Sequence, residues 1–412
     1  MKYGLIGEKL SHSFSKEIHN LLCDYEYGLC ELKADELERF FTERDFCGIN
    51  VTIPYKTSVM EYLDYIDEAA QKIGAVNTVV NRGGRLYGYN TDAYGLSALI
   101  AKSGVDLRGK KVLISGSGGT SRTALYVAQK SGASSVLRLS RAKKEDCITY
   151  GEAILRHSDA DIIINTTPAG MYPNTGDSPV DLSYFKETEA VFDVIYNPLK
   201  TRLVLAAQSR KTAAYGGLYM LVMQAYCSAE LFCGGQIDVG RAEEVYEKLL
   251  RDKQNIVLIG MPSAGKTQIG KLLSETLDMP FFDSDEEIKK STGKTPAEII
   301  NADGEAAFRQ TESGIIHTLS LKNHCVIATG GGAVLKEENV LNLKANGRIY
   351  YVDRPLDLLI ATPDRPLSSS KEALAELYNQ RKHLYKTAAD KTVVNDSDIR
   401  AAAEIIRKDF LL

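Results

Sequence analysis

Short apolar runs that alternate with amphipathic stretches narrow the fold of this chain more than any other feature. The runs are "YGLIG" (3–7), "INVTI" (49–53), "KVLIS" (111–115), "SVLRLS" (135–140), "DIIIN" (161–165), "AVFDVI" (190–195), "NIVLIG" (255–260), "CVIATG" (325–330) and "RIYYVD" (348–353). They are rich in β-branched residues and bounded by Gly, Asn or Asp, which predicts short strands. Stretches such as "ADELERFFTER" and "EAAFRQTESGIIHTLS" lie between them with helical spacing. This rhythm predicts an α/β fold with largely parallel sheets. At 412 residues the chain exceeds one ordinary core, since domains run to roughly 100–200 residues.

Two of the runs feed directly into glycine turns. In "KKVLISGSGGTSRTA" a strand enters Gly116, Ser117, Gly118 and Gly119 before a helix begins near Thr120. Glycines there let the backbone approach a pyrophosphate, and the helix start offers free N–H groups. The following strand ends in "RLSRAKK", with Arg141 where a carboxylate for a ribose hydroxyl would otherwise stand, so NADP is favoured over NAD. The second turn, "GMPSAGKT" (260–267), has the complete Walker A pattern between a strand and the helical run "QIGKLLSETL". The backbone of Met261, Pro262, Ser263, Ala264 and Gly265 would cradle phosphates, Lys266 would reach the β and γ groups, and Thr267 would bind magnesium. This predicts a nucleoside triphosphate with Mg2+ but does not name it, since GTPases, ATPases and small-molecule kinases share the loop.

Composition excludes other classes. A net charge of −4 argues against a nucleic-acid partner, and no long apolar segment calls for a membrane. Polar "EKLSHS" follows Met1–Gly7, which does not read as an export signal. Seven scattered cysteines without a CxxC pair predict neither a disulfide framework nor a zinc site, and a cytoplasmic protein is expected.

Polar clusters close several runs before residue 100: "SHSFS", "NVTIPYK", "GAVNTVV" and "GYNTDAYG". Their hydroxyls and amides can converge on a small polyol. Lys56 and Asp92 are the reactive candidates, since a cationic Lys beside a carboxylate can hold a substrate hydroxyl and pass its proton while hydride moves. Behind the P-loop, "FFDSDEEI" sets Asp283 and Asp285 at the end of a short strand, one toward magnesium and one toward a substrate hydroxyl. "GEAAFRQTE" places Arg309 and Glu312 on one helical face, able to clamp a carboxylate and brace the clamp. "TGGGAV" brings Gly330, Gly331 and Gly332 to a strand end, "PDRPLSSS" offers Arg365 on a loop, and "NQRKHLY" offers Arg381 on a helix.

The ordered motifs "YGLIGEKLSHSFSKEIHN", "GINVTIPYK", "GAVNT", "GYNTD", "SGSGGTSR", "NTTPAGM", "DVIYNPLKT" and "GGLYMLVMQA" resemble shikimate dehydrogenase over about residues 1–245. The resemblance implies reduction of 3-dehydroshikimate with NADPH. It implies that Ser13, Ser15, Thr52, Asn77, Asp92, Tyr196 and Gln224 hold the substrate, and that Lys56 and Asp92 form the catalytic pair. Gly116, Gly118, Gly119 and Arg141 would take NADP. The chain departs from the family pattern at Lys16, at Ala93 and at Ser140-Arg141-Ala142.

The P-loop and the motifs after it resemble shikimate kinase over about residues 254–412. Here the resemblance implies that Asp285, Arg309, Gly330, Gly331, Gly332 and Arg381 bind shikimate. Lys266 and Arg365 would stabilise the transferring phosphoryl group, Asp285 would act as the base, and Thr267 with Asp283 would organise magnesium. An adenine-stacking Arg is replaced near Ala361.

The whole is expected to comprise a substrate domain (1–100 and 217–240), a Rossmann NADP domain (101–216), a helical linker (241–254) and a P-loop kinase domain with a lid (255–412). Its partners are then the small molecules 3-dehydroshikimate and shikimate, with a homodimer left open. Two competing readings are a degenerate half that senses shikimate or nucleotide, and a first half that prefers quinate.

Overall fold

Each of the apolar runs forms a strand in the computed structural model, which describes residues 1–10, 13–361, 370–396 and 398–411. The chain divides into two units, Met1–Lys248 and Leu249–Leu412.

The first unit holds two six-stranded sheets. One runs in the order Tyr27–Glu31, Tyr3–Gly7, Gly48–Val51, Thr78–Arg82, Arg85–Tyr89, Tyr65–Ile66. Its first three strands are parallel, but Thr78–Arg82 runs antiparallel to both neighbours. The sheet is thus parallel in three of its five pairings, and Thr78–Arg82 is the exception, joined to Arg85–Tyr89 through the tight hairpin turn Gly83-Gly84. The run expected over 49–53 stops pairing as a strand at Val51, since Pro54 has no N–H to offer a ladder and Ile53 lies exposed beside it.

The second sheet is wholly parallel, in the order Ala213–Tyr215, Ala190–Asp193, Ile162–Asn165, Lys111–Ser115, Ser135–Ser140, Ile148–Thr149. Its central strands are buried on both faces, which is why they read as unbroken apolar runs rather than alternating ones.

Helix Leu218–Cys233 returns from the second sheet and packs against helices Thr91–Ser103 and Ser15–Leu22. Gly95 makes the first of these contacts. A Cβ there would collide with the main-chain oxygen of Met220 and sit 3.0 Å from the Cβ of Gln224. The stretch expected as a linker over 241–254 belongs to helix Val239–Lys253, whose Ala242, Val245 and Leu249 are buried at helical spacing. Glu243 on that helix accepts hydrogen bonds from Lys102 at 2.9 Å and from the Tyr219 hydroxyl at 2.5 Å.

The second unit is built on a five-stranded parallel sheet ordered Phe281–Asp283, Val326–Ala328, Asn255–Ile259, Gly347–Asp353, Lys391–Val394. Asn255–Ile259 is central and entirely buried, and it leads through the glycine loop into helix Lys266–Leu277. Helix Pro296–Ser320 starts with a capping box, in which Thr295 accepts from the Glu298 N–H, and it is broken at Gly304 (φ 86°, ψ 164°). Asp285 lies in the first turn of helix Ser284–Thr292, one element beyond the strand end on which it was expected.

Gly95→Ala should destabilise the first unit, because the added methyl meets rigid main chain. Overpacking of this kind costs about 1–3 kcal/mol. Urea unfolding of the full chain should show a lower midpoint for the first unit's transition and an unchanged one for the second.

Candidate active sites

A cavity of about 630 Å³ opens in the first unit between the ends of its two sheets. The first sheet and its loops contribute Ser13, Ser15, Thr52, Lys56, Asn77 and Asp92; Tyr196 comes from beyond Ala190–Asp193, and Gln224 from the returning helix. The structure thus brings together every residue singled out for substrate or chemistry in this half. Lys56 Nζ donates to Asp92 Oδ2 at 2.5 Å, with both side chains largely buried. Asn77 Nδ2 donates to the other carboxylate oxygen of Asp92 at 2.9 Å. Asp92 is therefore held at both oxygens, while the Lys56 ammonium retains donors for a third group. Ser13 and Ser15 are linked hydroxyl to hydroxyl at 3.1 Å. Burial pushes the Tyr196 hydroxyl above the ordinary phenol range, which keeps it a neutral donor.

The glycine turn lies on the same side. A Cβ on Gly119 would sit 3.6 Å from the Cβ of Lys56, and Thr120 lines the cavity. Gly118 precedes helix Gly119–Lys130 with open space where a side chain would project, so a phosphate can approach its backbone. These features fit a dinucleotide. Ser140 is buried at the strand end and Arg141 is exposed just after it, while Lys144 Nζ donates to Ser117 Oγ at 2.8 Å. Arg138, in contrast, is engaged by Asp146.

Sequence reasoning passed over several residues at this site. Thr167, Met171 and Tyr172 line the cavity from the loop after Ile162–Asn165; "NTTPAGM" marked that loop without giving it a role. Asn50, in "GINVT", is a buried part of the cavity wall and accepts from the Tyr27 hydroxyl at 2.7 Å.

In the second unit the P-loop residues Met261, Pro262, Ser263, Ala264 and Gly265 wrap toward Lys266, which is buried and donates to the carbonyls of Gly260 (2.9 Å) and Met261 (2.8 Å). Thr267 Oγ1 donates to Asp283 Oδ2 at 2.7 Å, and Asp283 Oδ1 accepts from the Asp285 N–H at 3.0 Å. A hydroxyl and a carboxylate so placed are hard oxygen donors that suit Mg2+, which fills its remaining positions with water and phosphate oxygens.

Gly330, Gly331 and Gly332 form the junction of this site. A Cβ on Gly330 would lie 2.9 Å from both Asp285 Oδ1 and Glu312 Oε1, one on Gly331 would press on the Pro262 ring, and one on Gly332 would overlap the Arg309 guanidinium. Arg309 Nη1 donates to Glu312 Oε2 at 2.8 Å, and Nη2 to Glu305 at 3.0 Å. Burial raises the Glu312 carboxyl above its usual range although Arg309 opposes the shift. Arg381 is buried near Glu312, its Nε without a hydrogen-bond partner among the described residues. Tyr385, which sequence reasoning missed, stacks on Tyr351 and donates to the Gly331 carbonyl at 2.5 Å. Arg365 lies outside the described residues. Ala361, at the edge of that segment, follows Ile360, whose N–H donates to Ser263 Oγ at 2.9 Å.

A cation–carboxylate pair under a dinucleotide-type glycine turn defines an oxidoreductase, and a P-loop facing a cluster of arginines and carboxylates defines a small-molecule phosphotransferase. Comparisons with known proteins narrow both. Residues 5–79 match the family model for the shikimate dehydrogenase substrate binding domain, and residues 262–409 match the model for shikimate kinase. A shikimate dehydrogenase (NADP(+)) of Clostridium perfringens is 38% identical over 266 residues, covering 60% of this chain and 97% of that protein. One from Methanococcus maripaludis is 39% identical over 259 residues, covering 57% and 92%. The crystal structure of shikimate dehydrogenase 1 from Peptoclostridium difficile aligns with a TM-score of 0.57 at 38% identity, over 60% of this chain and 98% of that one. The chain belongs to the shikimate dehydrogenase family and carries a shikimate kinase domain after it. It is a bifunctional enzyme of the shikimate pathway that uses NADP and ATP.

Asp193 underlies the cavity segment Val194–Tyr196 and accepts from Thr201 Oγ1 (2.7 Å), the Ile195 N–H (3.0 Å) and Asn165 Nδ2 (3.0 Å). Its burial nevertheless raises its pKa to about 6. The folded protein then holds a proton that the unfolded chain has released above pH ~4, so Asp193's contribution to stability is full below that pH. It declines as pH rises to about 6 and is constant above. Asp193→Asn should remove this slope. The stability difference between wild type and variant, from urea unfolding at pH 4 and pH 7, should shift in the variant's favour by on the order of 2–3 kcal/mol.

Proposed function

We propose that Lys56 and Asp92 are the proton-transfer pair of the dehydrogenase, and that Asp285 and Lys266 are the base and the phosphoryl-stabilising cation of the kinase. The observation that carries the first assignment is the buried 2.5 Å contact between Lys56 and Asp92 in a cavity lined by hydroxyls and amides. Bound NADPH supplies hydride to the carbonyl carbon of 3-dehydroshikimate. As negative charge grows on the carbonyl oxygen, Lys56 donates a proton to it and Asp92 keeps the ammonium oriented. Ser13, Ser15, Thr52, Asn77, Tyr196 and Gln224 orient the ring through its carboxylate and hydroxyls. Gly116, Ser117, Gly118 and Gly119 take the pyrophosphate, with Ser140 and Arg141 at the NADP phosphate.

In the kinase, bound ATP with magnesium supplies the phosphoryl group. Arg309, Arg381 and the backbone of Gly330–Gly332 hold shikimate, and Asp285 accepts the proton of its 3-hydroxyl. Lys266 and Arg365 balance the charge that develops on the transferring group, while Thr267 and Asp283 hold the metal. The first reaction's product is the second's acceptor, and this supports retention of both activities over a sensing role for either half. The assignment carries the domain division 1–100 with 217–240, 101–216, 241–254 and 255–412. It places the enzyme in the cytoplasm; among the described residues no helix is long and apolar enough to cross a membrane.

Lys56→Ala should lower NADPH oxidation by 3-dehydroshikimate roughly 10²- to 10⁴-fold and leave ATP-dependent phosphorylation of shikimate intact, whereas Lys266→Ala should do the reverse. A coupled assay containing 3-dehydroshikimate, NADPH, ATP and Mg2+ should yield the phosphorylated product with wild type alone. Wild type catalysing only one of the two steps would refute the reading.

A further inference from the structure

Against the wall of the dehydrogenase cavity lies a buried cluster of hydroxyls and amides, of which Asn50, Asn77 and Gln224 line the cavity while Ser228, Thr78 and Thr91 stand behind them. Ser228 is at its centre, fully buried on helix Leu218–Cys233 one turn beyond Gln224. Its Oγ is 2.8 Å from Asn50 Nδ2, 2.9 Å from Thr91 Oγ1, 3.0 Å from Thr78 Oγ1 and 2.9 Å from the Gln224 carbonyl.

Proton counting gives this cluster a direction. A carbonyl only accepts, so the single Ser228 proton goes to Gln224 and the Ser228 oxygen must accept from its other neighbours. Asn50 Nδ2 donates to it and to Thr78 Oγ1 (3.0 Å), with the Tyr27 hydroxyl donating to the amide oxygen on the other side. Thr91 Oγ1 accepts from Asn77 Nδ2 at 3.0 Å, and the nearest acceptor for its own proton is Ser228 Oγ at 2.9 Å, ahead of Thr78 Oγ1 at 3.0 Å and Asn77 Oδ1 at 3.2 Å. The remaining Asn77 donor faces Asp92 Oδ1 at 2.9 Å, and Asn77 Oδ1 is filled by the Thr91 N–H (2.7 Å) and the Thr78 hydroxyl (3.1 Å). In this arrangement every donor has an acceptor, and the sequence of bonds ends on the Gln224 main chain.

The geometry points to Ser228 as a positioning residue for the proton-transfer pair. It draws the Thr91 hydroxyl proton away from Asn77, which leaves Asn77 Nδ2 paired with Thr91 Oγ1 and Asp92 Oδ1. Without it the Thr91 hydroxyl turns to Thr78 Oγ1 (3.0 Å) or to Asn77 Oδ1 (3.2 Å), where it competes with the donors already bonded there and loosens the amide that faces Asp92. This inference rests on the assignment of Lys56 and Asp92 given above.

Ser228→Ala should lower kcat for 3-dehydroshikimate reduction about tenfold, the scale of one lost buried hydrogen bond. KM for NADPH should stay unchanged, and the primary isotope effect with 4-deuterated NADPH should rise as hydride transfer becomes rate-limiting. Shikimate phosphorylation by the same preparation should keep its wild-type rate. Ser228→Cys preserves volume but bonds weakly, so it should lower kcat in the same direction and decides the matter if the alanine variant does not fold. Wild-type kcat in either variant, or a fall in kinase rate matching that in kcat, overturns the inference. Turnover that survives Lys56→Ala instead overturns the catalytic assignment beneath it.

Discussion

Close approach of two helices governs the first unit. Helix Thr91–Ser103 begins with Asp92, helix Leu218–Cys233 carries Gln224, and the two meet where Gly95 leaves the Met220 carbonyl uncovered. The contact joins segments more than a hundred residues apart, since Ser228 bonds to Thr91 across a separation of 137. Because the cavity wall is made from both helices, their separation sets the distance between the charged pair and the amide of Gln224. A larger residue at position 95 would widen that distance as well as weaken the packing.

The strands of the second unit impose a comparable constraint. In a wholly parallel sheet the carboxyl ends lie on one side, and loops from that side carry the chemistry. Asn255–Ile259 delivers the P-loop, Phe281–Asp283 delivers the two aspartates, and Val326–Ala328 delivers the three glycines. The glycines are needed because carboxylates and a guanidinium crowd against their backbone, as the virtual Cβ positions at Gly330 and Gly332 show. That crowding also accounts for Glu312. A carboxylate with almost no solvent is costly, and its raised pKa records a burial penalty that Arg309 only partly offsets.

Legibility in the sequence followed the physical range of each signal. Parallel strands buried on both faces announce themselves as unbroken apolar runs, and "KVLIS" and "NIVLIG" were readable for that reason. Strands buried on one face, or at an edge, carry a weaker pattern. Tyr27–Glu31 alternates in burial and Lys391–Val394 is half exposed, and neither stood out. The Gly83-Gly84 hairpin was a local signal left unused. At the sites, residues at loop starts next to a glycine or a proline were found, because function there is written in short motifs. The supports behind them were not. Ser228 lies on an apolar helix face where a serine resembles filler, and only the fold brings it to Asn50 and Thr91. Tyr385 was hidden in the same way on a helix whose partner strand lies elsewhere in the chain.

Under the proposed assignment the two units grip the same small acid by different chemistry, and the difference follows from what else each site must hold. In the first unit the gripping groups are hydroxyls and amides, with Lys56 the cation that contacts Asp92. A second cation fixed beside Lys56 would compete with it for the Asp92 carboxylate. Neutral donors orient a carboxylate without that cost. The second unit must assemble a polyphosphate and a carboxylate within one pocket, so cations at both ends reduce repulsion between the two ligands. Arg309 and Arg381 therefore suit a phosphotransferase for the reason that they would be ill placed beside Lys56. Glu312 limits the resulting excess of positive charge, and its burial keeps Arg309 fixed toward the acceptor space instead of the solvent.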